Sequence, residues 1–127
     1  MTNQVMSVLV SVPNLGWVHH RLADALLRMT QTTLRTPVRA TFEFPVKIPL
    51  EESRNLSAKR AVDEAYDFWL TIDDDNPPMR SPLELCALDL DIVGCPTPCF
   101  IGTRESPRVI WSVYKRLADA KYQAMPL

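Results

Sequence analysis

The sequence predicts an α/β protein, and three observations lead there. Val5–Val12 is apolar and β-branched enough to be a buried strand. From Trp17 to Met29, the residues Val18, Leu22, Ala25, Leu26 and Met29 fall at helical spacing. Further along, Phe68–Ile72 is a second short apolar run of strand type, again preceded by a helical segment. Strands that alternate with helices need right-handed crossovers and pair in parallel. The expected arrangement is therefore three-layered and Rossmann-like, a mostly parallel sheet with flanking helices.

Each element has its own signal. The first strand stops at Pro13-Asn14-Leu15-Gly16, a loop sequence. On the first helix, His20, Asp24 and Arg28 form the solvated side. Val38–Phe44 alternates well enough for a strand, and Pro45 and Pro49 then force an extended, irregular connection. A second helix is expected over Glu51–Tyr66, with Leu56, Val62 and Ala65 facing inward. After Phe68–Ile72, Ser81 suits an N-cap, Pro82 the first helical position and Glu84 a capping box, for a short helix to about Leu88. Asp91-Ile92-Val93-Gly94 reads as a fourth strand and Val109–Trp111 as another. Val113, Leu117 and Ala120 suggest a closing helix.

Composition narrows the function classes. A chain of 127 residues fits one domain spanning 1–127, with enough buried surface for one core. The hydrophobic fraction of 46% excludes wholesale disorder. A net charge of −1 gives no electrostatic footprint for nucleic acid. No apolar run reaches the length of a membrane span, and Met1–Gln4 lacks the basic region of a signal peptide, so a cytoplasmic location is expected. The three cysteines, Cys86, Cys95 and Cys99, lack a histidine or second pair to build a zinc site and read as free thiols. Eleven prolines against three glycines imply fixed corners. Neither a G-x-G-x-x-G nor a Walker-type loop is present, which disfavours dinucleotide and P-loop enzymes.

The chemistry-bearing feature is Asp73-Asp74-Asp75 at the end of Phe68–Ile72. Three adjacent carboxylates repel one another and need solvent, a paired cation or a metal. Asp73 and Asp75, two residues apart, could offer hard oxygen ligands to one Mg²⁺ or Mn²⁺. Open α/β sheets bind ligands beyond the carboxyl ends of their strands, where this cluster would stand. The competing reading is an acidic turn before Asn76-Pro77-Pro78.

Taken in order, the strand ending in Val12-Pro13-Asn14, a helix, a strand, Ser53-Arg54-Asn55 opening a helix, and Phe68–Ile72 before Asp73-Asp74-Asp75 resemble the N-terminal half of a GT-A-fold glycosyltransferase of the family-2-like kind. The similarity runs from about Val5 to Pro98. It implies a GT-A-like nucleotide-sugar-binding domain with a D-x-D motif. Asp73 would lie near the donor ribose and the metal, and Asp75 would ligate a divalent cation, Mn²⁺ or Mg²⁺, that bridges the donor diphosphate. Asp74 would face outward or stand one step behind the donor contacts. Pro13 and Asn14 match the loop that meets the nucleotide base, and Arg54 matches an arginine near the donor, able to pair with phosphate or with Asp73. Members of the family continue into a second half that supplies the acceptor site and an acidic base. Beyond Pro98 the only carboxylates here are Glu105 and Asp119, neither in a matching motif.

The expected function is thus a metal-dependent, glycosyltransferase-like protein of hexosyltransferase type, with a nucleotide-diphospho-sugar as partner. The alternative is a non-catalytic GT-A-like nucleotide-binding or protein-interaction module, in which a homo-oligomer covers the open sheet edge or the acidic cleft. Other features weigh less. His19 and His20, if adjacent on a helix, point about 100° apart and cannot share a metal. Ser11, Ser53 and Ser81 lack a nucleophile elbow. Trp17, Trp69 and Trp111 suit core or rim positions, and Lys115, Arg116 and Lys121 a solvated face. A haloacid-type phosphatase would need its D-x-D near the chain start, and a sugar-nucleotide pyrophosphorylase a glycine-rich first loop.

Overall fold

In the computed structural model, residues 5–88, 90–94, 98–103, 105, 107–111, 114–116 and 122–124 are described. The chain divides into two compact units, Met1–Asp89 and Leu90–Leu127. In the first, β1 (Met6–Ser11), α1 (His20–Thr33), β2 (Val38–Glu43), α2 (Leu50–Asp63) and β3 (Phe68–Thr71) follow one another, and a 3₁₀ segment covers Pro82–Leu88. The strands form a parallel sheet in the order β2-β1-β3. This is a small α/β unit with flanking helices, as the alternation predicts.

The two faces of the sheet differ in chemistry. Val8, Val10 and Val12 point to one face and are fully buried with Leu22, Leu26 and Met29 of α1, and Ile72, Leu83 and Cys86 complete the cluster. Burying each such aliphatic side chain contributes roughly 1.5–3 kcal/mol, so this face carries most of the core energy. Burial also pushes the Cys86 thiol above its ordinary pKa, and Cys86 is free, as expected.

The other face, which belongs to α2, buries Leu9 of β1 and otherwise carries a polar network. Ser11 Oγ donates to Glu43 Oε1 at 2.6 Å and accepts from Trp69 Nε1 at 2.9 Å. Arg60 Nη1 reaches down from α2 to Glu43 Oε2 at 2.9 Å. Accordingly α2 buries Ser53, Ser57 and Ala61, one residue per turn along a single stripe. The expected inward residues are outside instead: Leu56 is 51% and Val62 79% exposed, and Ala65 is exposed with φ +54°. Small side chains let the helix approach a sheet face whose partners are hydroxyls and a carboxylate, which bulky leucine or valine would hold off.

Three further expectations change. The first helix begins at His20, because His19 is the N-cap, extended in backbone, with Nδ1 accepting from Arg21 N at 3.3 Å. His19 and His20 therefore do not share a helix, and their ring centroids lie 4.3 Å apart. The Ser81 capping box is not formed: the segment is 3₁₀, Glu84 N donates to Ser81 O at 3.2 Å, and Ser81 Oγ is buried without a partner. Asp91–Gly94 is a pair of bends rather than a strand, with Ile92 92% exposed, so no packing drives it into a sheet.

The second unit holds two antiparallel hairpins, β4 (Pro98–Gly102) with β5 (Pro107–Trp111), and β6 (Tyr114–Arg116) with β7 (Tyr122–Ala124). The strand expected at Val109–Trp111 lies within β5. The closing helix is not seen at 114–116 or 122–124, where tyrosine-led segments pair across the hairpin. Val113, Leu117 and Ala120 lie outside the described residues, as does Asp119. No helix among the described residues is long and apolar enough to cross a membrane.

Candidate functional site

Chain order fixes where a ligand site can form. From β1 the chain crosses by α1 to β2 on one side, and from β2 by α2 to β3 on the other. The carboxyl ends of β1 and β3 therefore flank the topological switch point, the place where open parallel sheets leave a crevice. Pairing also differs on the two sides of β1. Towards β2 it continues past the strand: Val12 N donates to Glu43 O and Asn14 N to Pro45 O, both at 2.9 Å, and Lys47 N to Asn14 O at 3.0 Å. Towards β3 the last contact is Ile72 N to Ser11 O at 3.0 Å. After it, Asp73 turns away.

The turn is closed by Asn76 N donating to Asp73 O at 3.2 Å. It leaves the Asp73 and Asp75 side chains exposed and Asp74 half-buried, so Asp74 is the least outward of the three. Arg54, in the first half of α2, donates from Nη2 to Asp73 Oδ1 at 3.0 Å. The pairing considered from sequence for Arg54 and Asp73 is therefore present. The side chains are 41% and 48% exposed, which limits the ion pair to about 1 kcal/mol or less. Arg54 Nε is buried and has no partner, so this guanidinium is not saturated.

Pro13 and Asn14 are both buried at the end of β1. The Asn14 side chain is engaged in its own loop: Nδ2 donates to Val12 O at 3.0 Å and Oδ1 accepts from Gly16 N at 2.9 Å. Gly16, at φ +112°, makes that turn possible. Asn14 therefore shapes the rim.

Among the described residues no group of three or more His, Cys, Asp or Glu is gathered for a metal. Asp73 and Asp75, both exposed and two residues apart, could offer at most two carboxylates. That fits an ion of the Mg²⁺ or Mn²⁺ kind, which takes one or two carboxylates and fills its shell with water and ligand phosphates. The Asp73 oxygen not used by Arg54 is open to such a role.

Two features behind the site were not read from the sequence. Ser53 Oγ, next to Arg54, is fully buried without a partner. Glu43 is desolvated by burial, which pushes its pKa up. Hydrogen bonds from Ser11, Ser57 and Arg60 outweigh that and hold it below the ordinary value. A glutamate ending a strand that an arginine-bearing helix crosses is the signal that could have found it.

No protein-family model, no curated protein and no solved structure matches the chain.

Proposed function

We infer that the protein is a metal-dependent, glycosyltransferase-like protein that binds a nucleotide-diphospho-sugar beyond the carboxyl ends of β1 and β3. The finer fold reading is a three-layer, GT-A-like arrangement of which the parallel sheet is the core. One observation carries the reading: the D-x-D carboxylate Asp73 stands at the switch point and is met there by the unsaturated Arg54. In this reading Asp73 and Asp75 hold the divalent cation, Arg54 offers its remaining donors to the diphosphate, and Pro13 and Asn14 form the wall against the base. The cation supplies Lewis-acid stabilisation of the charge that develops on a diphosphate leaving group. Asp74 supports the turn behind them.

Titration calorimetry with UDP, GDP and their sugar conjugates, with and without Mn²⁺, tests it. Mn²⁺-dependent binding that vanishes in Asp75→Ala is the expected result. Absence of binding to the whole panel returns Asp73–Asp75 to an acidic turn. A second reading, a non-catalytic nucleotide-binding or protein-interaction module, rests on the lack of a matching acidic motif beyond Pro98: Glu105 lies exposed between β4 and β5. Donor hydrolysis or transfer in the same panel separates the two.

A further inference from the structure

Among the described residues β2 pairs only with β1, so its outer edge presents main-chain groups with no strand beside them. Parity decides which groups these are. Met6 N donates to Pro37 O and Val12 N to Glu43 O, both at 2.9 Å. Even-numbered residues of β1 thus bond odd-numbered residues on the β2 side, and the peptide groups of Val38, Ala40 and Phe42, and of Phe44 just beyond, point outward. No proline or bulge interrupts Val38–Glu43 to protect this edge. Beside it an apolar groove of about 430 Å³ runs between α1 and β2, lined by Val18, Leu26, Leu27, Phe42 and Phe44. Leu27 is 65% and Phe44 44% exposed.

We propose that this edge takes a second copy of the chain, by antiparallel pairing of β2 with the partner's β2 about a two-fold axis at Thr41. The strand is self-complementary in that register. Arg39 stands opposite the partner's Glu43, Ala40 opposite the partner's Phe42 and Val38 opposite the partner's Phe44, and symmetry repeats each pair. Opposite charges and apolar pairs facing each other across strands are stabilising. Arg39 is exposed and in its own chain feels the charge of Asp67, while the Glu43 carboxylate is 15% exposed and held by Ser11, Ser57 and Arg60, so the partner's Arg39 would add to an existing set of donors rather than meet a free carboxylate. The apolar pairs fall on the α1 face and extend its groove across the axis.

The outer edge of β3, which among the described residues also pairs only with β1, gives the contrast. β3 offers only Phe68–Thr71, and a two-fold at Leu70 would set Asp67 against the partner's Asp73, a like-charge pair. The longer β2 edge in the Thr41 register meets no such pair, and it uses none of the residues proposed to touch the donor.

Sedimentation velocity on the full chain from about 1 to about 100 µM, a range suited to interfaces of modest size, should give a concentration-dependent monomer–dimer equilibrium. Hydrogen exchange should slow at the amides of Val38, Ala40, Phe42 and Phe44 as the dimer grows. Ala40→Pro removes one outward N–H without touching a bond to β1, and should be monomeric throughout with an unchanged circular dichroism spectrum. Arg39→Glu, at an exposed position, should weaken the dimer about tenfold or more, and it decides the matter should the proline variant fail to fold. A wild-type protein that stays monomeric, a dimer as tight in Arg39→Glu as in wild type, or unchanged exchange at those four amides would overturn the proposal.

Discussion

Asp73 has two partners to satisfy: Arg54 already holds one oxygen, while the proposed cation would take the other. The two demands separate by mutation. Asp73→Asn keeps the turn, since Asn76 bonds the main-chain oxygen rather than the side chain, and should lower stability by no more than about 1 kcal/mol in thermal or urea unfolding. Its metal-dependent nucleotide binding should nevertheless be lost. Asp75→Ala should leave the fold intact and slightly steadier without metal, because one of three repelling carboxylates is gone. Loss of folding in Asp75→Ala would instead assign that carboxylate a structural partner. Ser53 gives a sharper test of what α2 is built for. A buried hydroxyl without a partner costs stability, so Ser53→Ala should unfold at the same or higher temperature, by up to about 1 kcal/mol. A clear destabilisation would show that the hydroxyl is bonded in solution.

At the scale of elements, α2 is fastened to the sheet by polar side chains as well as by the burial of Leu9 and Ala61. Arg60 and Ser57 fix it to Glu43 on β2, and Arg54 fixes it to Asp73 after β3. The Glu43 carboxyl sits lower in the folded protein than its unfolded value near 4.5. The folded state therefore favours its charged form, and that contribution is present above the unfolded value and lost as pH falls through the folded one. Glu43→Gln should be less stable at neutral pH, and its stability should fall less steeply than that of wild type below about pH 4.5. Parallel acid-unfolding curves for the two proteins would remove Glu43 as the anchor.

By contrast α1 is held by Leu22, Leu26 and Met29, and Leu22→Ala should cost about 2–5 kcal/mol in urea unfolding. This difference explains what the sequence made legible. Large apolar residues at helical spacing marked α1 and its inward face, while a β-branched run marked β1, alternation marked β2 and an aromatic and apolar run marked β3. The buried stripe of α2 was missed because serine and alanine carry no hydropathy signal, so Leu56 and Val62 drew the attention. Ser81 looked like a cap because its side-chain type fits, but helix type depends on backbone geometry that a local pattern does not encode. At the site, the residue types and strand end pointed to Asp73 and Arg54. The orphaned Arg54 Nε and Ser53 Oγ depend on three-dimensional burial, which no sequence spacing records.

The sheet also sets how donor binding and self-association combine in the whole molecule. The proposed donor crevice opens where β1 parts from β3, while the proposed self-pairing uses the edge of β2 that faces away from β1. β1 lies between them, fully buried at Val8, Leu9 and Val10, and close-packed interiors of this kind are not continuously deformable. No residue proposed to touch the donor belongs to the β2 edge. Binding and assembly should therefore be energetically additive: Ala40→Pro should keep Mn²⁺-dependent nucleotide affinity within about threefold of wild type, less than 1 kcal/mol of coupling. Likewise Asp75→Ala should leave the dimer constant unchanged by the same measure. A loss of affinity beyond tenfold in Ala40→Pro, with the spectrum preserved, would mean that the sheet transmits assembly to the crevice. The link to test next would be Glu43, which touches β1 through Ser11, α2 through Arg60 and, in the proposed register, the partner's Arg39.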